Sequence, residues 1–312
     1  MIPAHNAERF IGAALASALG QSHSELEVVV VDDGSTDGTA AVVESWARRD
    51  PRVRLVRTAR RGVGAARNLA VAEARGALIA PLDADDLWAP EKLARQLAVL
   101  RAAPADVGLV YCWSRGVDET GRVIMASWSR RTATGAVLDA VIVENFVGNA
   151  STALFRRAAF EATGGYDPDL RLGEDWKLHI ALAGVCRFAV VPEHLAAYRF
   201  TDANSSLDGG WEAELAETTA WIRRTWPGTS AAVLRERAFS VDRFLIFWAI
   251  RAGSYRAALR FRLRAIRNRP LSLFGRDGVD FVGLMVGRIL GIRRYTWSPF
   301  TLAPFPTAGA GD

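Results

Sequence analysis

Residues 26–39 read Leu26-Glu27-Val28-Val29-Val30-Val31-Asp32-Asp33-Gly34-Ser35-Thr36-Asp37-Gly38-Thr39. The apolar run ending at Val31 is what a strand buried on both faces requires. It stops at two carboxylates, followed by Gly34 for an unusual backbone angle and by Ser35 or Asp37 to cap the next helix. In an open parallel sheet ligands bind at the carboxyl ends of the strands, so acids placed there face a ligand. The same residues also suit a plain turn.

Outward from this stretch, short β-branched runs alternate with helical patterns, which predicts an α/β fold: a mainly parallel, Rossmann-like sheet with flanking helices. Met1–Pro3 reads as the stub of a first strand, and Asn6 as the cap of a helix carrying Ile11, Leu15, Ala18 and Leu19. Further strands are expected at Arg52–Arg57, Ala77–Leu82, Val107–Cys112, Ser151–Phe155, Arg187–Val191 and Ala196–Phe200. Helices are expected over Gly64–Glu73, from Pro90 to Ala102, and over Asp175–Ala183. A hairpin should turn at Glu119-Thr120-Gly121, and the polar Thr201–Gly210 stretch marks a boundary before an all-helical region.

The 312 residues are 50% apolar and 23% charged, which excludes disordered, collagen-like and disulfide-framework chains. Only Cys112 and Cys186 are cysteines, as suits a reducing compartment, and no run reaches the roughly 20 apolar residues of a membrane span. All but two of the 39 basic residues are arginine, a coding bias rather than a nucleic-acid signal. From Ser205 onward 16 arginines face 9 acids, so a basic last third follows a mildly acidic first part.

Three acidic sites carry chemistry. Besides Asp32-Asp33, the run Asp83-Ala84-Asp85-Asp86 closes a strand, and alternation sets two of its carboxylates on one side, as Mg²⁺ or Mn²⁺ shared with phosphates would need. Gly173-Glu174-Asp175-Trp176 opens a helix, where acids suit the helix dipole and where a general base could sit. The Gly62-Val63-Gly64-Ala65-Ala66-Arg67-Asn68 segment lacks the third glycine of a dinucleotide fingerprint, but its glycines allow close approach and its arginine can meet a phosphate. A Walker phosphate loop, a His-Glu-x-x-His zinc helix and a Gly-x-Ser-x-Gly elbow are all missing.

In this order and spacing the segments, together with Ile2-Pro3-Ala4-His5-Asn6-Ala7-Glu8, Gly164-Gly165-Tyr166-Asp167 and Tyr198-Arg199, resemble the family 2 glycosyltransferases, inverting enzymes of the GT-A fold. The resemblance covers about Met1 to Ser206. It implies that Pro3, Ala4, Glu8 and Asp33 hold the donor nucleoside with Arg67 and Asn68 close by. Asp83 would face the ribose and sugar, Asp85 would bind the metal, and Asp175 would be the catalytic base. Glu174, Arg199 and Thr201 would support the base or the diphosphate, although Thr201 stands where members commonly carry histidine. Members also show more strand residues before Pro3, which predicts a start upstream of Met1.

The resemblance further implies a nucleotide-sugar donor, a glycan, lipid-linked or other hydroxyl acceptor met by the Trp113–Asn149 stretch, and a role in surface glycan assembly. A non-catalytic sugar-nucleotide or partner-binding module and a nucleotidyltransferase acting on a sugar phosphate remain alternatives on the same scaffold. The expected organisation is a catalytic domain over residues 1–206, a helical extension over 207–303 and a disordered tail over 304–312. Gly253, Tyr255, Ala258, Ala265 and Pro270 follow the spacing of a single tetratricopeptide-like hairpin, with Phe239, Phe244, Phe247 and Trp248 as its core. Residues 271–297 mix apolar side chains with arginines, which predicts attachment to an anionic membrane surface from the cytoplasmic side.

Overall fold

The computed structural model describes residues 1–127, 129–201 and 210–273. Among these the chain forms two compact units, one of residues 1–138 and 146–200, the other of residues 139–145 together with the segment that begins at Thr201.

The first unit starts with β1 (Ile2–Ala4), α1 (Ile11–Leu19), β2 (Val28–Asp33), α2 (Thr39–Arg49), β3 (Val53–Thr58) and α3 (Val63–Glu73). Strands β1, β2 and β3 are parallel and neighbours in that order, with Val30 opposite both Ile2 and Leu55. Every residue of β2 is buried, its two aspartates included. Gly34 follows at φ +69°, and a Cβ there would lie 2.8 Å from the Arg60 nitrogen, so the turn requires glycine twice over.

Next come β4 (Leu78–Ile79), β5 (Leu87–Trp88), α4 (Lys92–Ala102), β6 (Val107–Val117), β7 (Val123–Met125) and α5 (Leu138–Val143), most of which belongs to the second unit. After them β8 (Ala153–Arg156), α6 (Arg157–Thr163), α7 (Glu174–Val185) and β9 (Arg187–Arg199) complete the first unit. These strands lie in the order β4-β8-β6-β9-β5, with β7 folded back on β6. Long β6 and β9 run parallel, whereas the other ladders are antiparallel. The parallel character expected of the sheet is therefore concentrated in β1–β3 and β6–β9. Alternation along a sequence cannot register the reversals, because a strand buried on both faces reads alike in either direction.

Met1 links the two sets: its amino group donates to the Ala80 carbonyl (2.9 Å) and its carbonyl accepts from the Leu82 N–H (3.0 Å). The expected strand Ala77–Leu82 is thus a short β4 followed by residues bonded to the chain start. The two strands expected over Arg187–Phe200 are one, and Ser151 lies in a 3-10 turn (Ala150–Thr152) ahead of β8. Asn6 is not a helix cap. It sits at φ +49°, its Oδ1 accepts from the Thr36 N–H (2.8 Å), and α1 starts five residues later, so the side chain ties two loops together instead. Ile11, Leu15, Val30, Val43, Leu82 and Val110 belong to the core between sheet and helices, each such side chain contributing about 1.5–3 kcal/mol.

The second unit contains α8 (Trp211–Thr225), α9 (Ala231–Arg251) and α10 (Tyr255–Asn268). The Ser230 hydroxyl caps α9 by accepting from the Val233 N–H (3.2 Å), and Gly253 turns the chain into α10 at φ +74°. Of the aromatic stripe, Phe239 and Trp248 are buried while Phe244 and Phe247 are half-buried, with the Trp211 ring 4.7 Å from that of Phe244. Buried Arg237 donates to Thr219 Oγ1 (2.9 Å) and to the Ile142 carbonyl (2.7 Å), tying α9 to α8 and α5. The membrane segment expected over 271–297 lies outside the described residues from 274 onward, as does the tail over 304–312. Among the described ones, no helix is long and apolar enough to cross a membrane.

Candidate active site

Asp83, Ala84, Asp85 and Asp86 form a tight turn closed by the Asp86 N–H donating to the Asp83 carbonyl (3.0 Å). Ser151 holds it from below: its oxygen accepts from the Asp83 N–H (3.0 Å) while its hydroxyl donates to Asp86 Oδ2 (2.6 Å). Asn149 also donates to Asp86 Oδ2, and the Arg199 N–H donates to Oδ1 (3.0 Å). Asp86 is fully buried and engaged by the fold. Asp85 is half-buried, and burial followed by the adjacent Asp83 carboxylate pushes its carboxyl up to about 7. The Arg199 guanidinium donates to the Asp85 carbonyl (2.7 Å) and to the carbonyls of Asp118 and Glu119 (3.0 and 2.9 Å), so it braces the turn against the β6–β7 hairpin.

Arg67 connects this turn to the start of α7. Its side chain is 4% exposed and donates from one nitrogen to Asp83 Oδ1 (2.6 Å) and from another to Glu174 Oε1, with its cation 5.2 Å from the Tyr166 ring centre. Asp83 of the acidic strand end and Glu174 of the acidic helix start, 91 residues apart in sequence, therefore share one guanidinium. Asp175 is half-buried beside them, with its Oδ1 accepting from the Trp176 N–H (2.6 Å). Burial, then the neighbouring Glu174 carboxylate, raises its carboxyl to about 8. His179, one turn along α7, is pushed down to about 3 by burial and by Arg67, so it stays neutral.

On the other flank Pro3 and Ala4 lie on buried β1, opposite Val31 and Asp32. The two oxygens of Asp33 accept from the N–H groups of Arg61 (2.7 Å) and Gly62 (2.8 Å), fixing the loop ahead of α3. Glu8 Oε2 accepts from the Gly38 N–H (2.9 Å), and Asp32 Oδ1 from the Ser35 N–H (3.0 Å). Two residues expected near the nucleoside make hydrogen bonds within the fold. Arg67 is enclosed by two carboxylates, and Asn68 uses both ends of its amide on the backbone of Tyr166. Thr201 belongs to the second unit, where its carbonyl accepts from Arg251 (3.1 Å). Ser151 and Asn149, which hold the acidic turn, are not singled out by the sequence reading. The polar run Asn149-Ala150-Ser151-Thr152 between apolar segments is the signal that could have found them.

Among the described residues, no three Asp, Glu, His or Cys side chains cluster as a metal cage. Half-buried Asp85, with Asp83 beside it, offers hard oxygen donors instead. That set fits a divalent cation which takes its other ligands from phosphates and water.

Comparison with known proteins bears on the family and the fold. The profile of Glycosyl transferase family 2 matches residues 1–164, more than half of the chain. The succinoglycan biosynthesis protein ExoO of Rhizobium meliloti is 34% identical over 238 residues, 72% of this chain and 67% of that protein. Chondroitin synthase of Escherichia coli is 31% identical over 192 residues, or 60% of this chain, which spans only 26% of that longer protein. Among solved structures, the mannosyltransferase PcManGT of Pyrobaculum calidifontis, in complex with GDP-Man and Mn²⁺, aligns at a TM-score of 0.59 with 24% identity, covering 93% of this chain and 86% of that one. S. aureus TarS 1–349 in complex with UDP-GlcNAc aligns at 0.56 with 18% identity, covering 93% and 90%. These likenesses bear out the GT-A fold expected from the motifs. The acidic strand ends and the matched profile lead to one conclusion: the chain belongs to glycosyl transferase family 2.

Proposed function

We propose that this chain is an inverting, divalent-metal-dependent glycosyltransferase that moves a sugar from a nucleotide donor to a hydroxyl acceptor in surface glycan assembly. The observation that carries the reading is the Arg67 bridge, which brings the Asp83–Asp85 turn and the Asp175 helix start to one place. Pro3, Ala4, Glu8 and Asp33 line the nucleoside side, and Asp83 faces the ribose and sugar. Asp85 holds the cation, Mg²⁺ or Mn²⁺, which when bound neutralises charge growing on the leaving diphosphate.

Glu174 is already paired with Arg67, so Asp175 is the carboxylate left to accept the acceptor's proton. Its burial supports that role, because a carboxyl raised to about 8 is a stronger base than an ordinary one. One base without a partner nucleophile suits a single displacement at the anomeric carbon, which inverts configuration. The acceptor oxygen forms the new bond as the diphosphate oxygen leaves with its electron pair.

A panel of sugar nucleotides, offered with Mg²⁺ or Mn²⁺ and with glycan and lipid-linked hydroxyl acceptors, tests the reading. The expected result is cation-dependent thermal stabilisation by one donor and release of nucleoside diphosphate with an inverted linkage. Release of pyrophosphate would identify a nucleotidyltransferase, a retained configuration would overturn the displacement, and binding without turnover would identify a non-catalytic module.

The basic C-terminal region is read as meeting an anionic membrane surface. Support comes from α10, where Leu259 (53%) and Leu263 (61%) stand exposed one turn apart, beside exposed Arg256 and Arg267. Sedimentation with anionic vesicles should fall several-fold for the Leu259→Glu/Leu263→Glu protein. Unchanged sedimentation would overturn this reading.

A further inference from the structure

Helix α3 presents Gly64, Arg67 and Asn68 at positions i, i+3 and i+4, hence on one face. Each meets the segment that leads into α7. A Cβ on Gly64 would lie 2.5 Å from the Asp167 carbonyl oxygen, so the helix and the Asp167-Pro168 backbone touch where only glycine fits. Asn68 Nδ2 donates to the Tyr166 carbonyl (2.8 Å), and its Oδ1 accepts from the Tyr166 N–H (2.9 Å). Gly165, at φ +87°, also approaches Asn68 closely enough that a Cβ there would lie 2.8 Å from Oδ1. Farther on, Lys177 pairs with Asp167, joining the same loop to the second turn of α7.

We infer that Asn68 is a positioning residue for the base. It grips the loop over residues 165–168 by its backbone, and with Gly64 and Arg67 it sets where α7 begins and so where the Asp175 carboxylate stands. A primary amide suits the task because it presents one donor and one acceptor side by side, matching the N–H and C=O of a single residue. The inference rests on Asp175 being the base and departs from the expectation that Asn68 contacts the donor nucleoside.

Three measurements on Asn68→Ala and Asn68→Asp test it: donor Kd by titration calorimetry, kcat, and hydrogen exchange of the peptide spanning residues 165–175. The aspartate variant keeps the oxygen that accepts from Tyr166 and loses the N–H that donates, so it reads the latch even where the alanine protein folds poorly. The expected result is a kcat lowered about tenfold or more for Asn68→Ala, because small misplacements of a catalytic group cost up to about 10²-fold. Donor Kd should stay within about twofold of the parent, and exchange over 165–175 should quicken. A weakened donor Kd with unchanged kcat would overturn the inference and return Asn68 to the nucleoside. So would unaltered exchange over that peptide. Absence of turnover in the parent protein would instead defeat the glycosyltransferase reading, while the exchange result would still report on the latch.

Discussion

Two acidic turns close buried strands in this molecule, and the fold treats them differently. At residues 32–37 the carboxylates are used by backbone: Asp33 accepts from Arg61 and Gly62, and Asp32 from Ser35. Burial would raise the Asp37 carboxyl, but hydrogen bonds from the Thr39 hydroxyl and N–H and from the Glu8 N–H outweigh it and hold the group below its ordinary range. At residues 83–86, and at 174–175 beside them, acids crowd one another with Arg67 bridging only Asp83 and Glu174. Burial first, and then the neighbouring carboxylates, push Asp85 and Asp175 up to about 7 and about 8. Burial and neighbouring negative charge disfavour a carboxylate's charge, whereas hydrogen bonds from N–H groups favour it. On the proposed reading, the first turn builds the wall of the site and the second receives the ligand.

That contrast can be broken at four points. Asp175→Asn should lower turnover by about 10²–10⁴-fold with donor Kd preserved, because it removes the proton acceptor and leaves the donor flank intact; equal turnover would move the base elsewhere. Asp85→Asn should cost about 10²–10³-fold in kcat and abolish cation-dependent thermal stabilisation by the donor, which titration of Mn²⁺ in a melting experiment checks. For the parent enzyme, kcat/KM should fall as pH is lowered, since the base works only when deprotonated. The apparent pKa should lie above the ordinary carboxylate range near 4, in keeping with the raised Asp175 carboxyl. A profile flat down to pH 5 would contradict that raised value.

The fourth point compares stabilities. Asp33→Ala strips two partly buried backbone N–H groups of their acceptor and should destabilise by about 1 kcal/mol, seen as a lower Tm. Asp175→Asn should leave Tm unchanged or raised at pH 8–9. A carboxyl raised in the folded state above its unfolded value supports stability at low pH and loses that support as pH rises through about 8, so neutralising it removes a cost felt above pH 4. A lower Tm for both variants would erase the distinction between wall and site.

Local patterns made much of this legible. Val28–Val31 read as a doubly buried strand and Gly34 as its turn, both set by side-chain volume and backbone angle within a few residues. The hairpin at Glu119–Gly121 appears where its turn chemistry placed it, with the Gly121 N–H donating to the Asp118 carbonyl (3.0 Å). Asn6 reads as a cap because capping is recognised from the next few residues, whereas its partner, Thr36, lies 30 residues away. The bond of Asn68 to Tyr166, 98 residues on, is out of reach of a local reading for the same reason.

By itself, then, the chain's order of residues determined which strands are buried, which turns carry acids and which family the pattern belongs to, since all three depend on composition and spacing along a short reach. Only tertiary structure decided which carboxylates are held by backbone and which are crowded by one another. Asp33 and Asp85 are the same side chain at similar strand ends, yet Asp33 receives the N–H groups of Arg61 and Gly62, whereas Asp85 is raised by burial and by the Asp83 carboxylate. That depends on how loops separated by tens of residues pack, a long-range property that no local window contains.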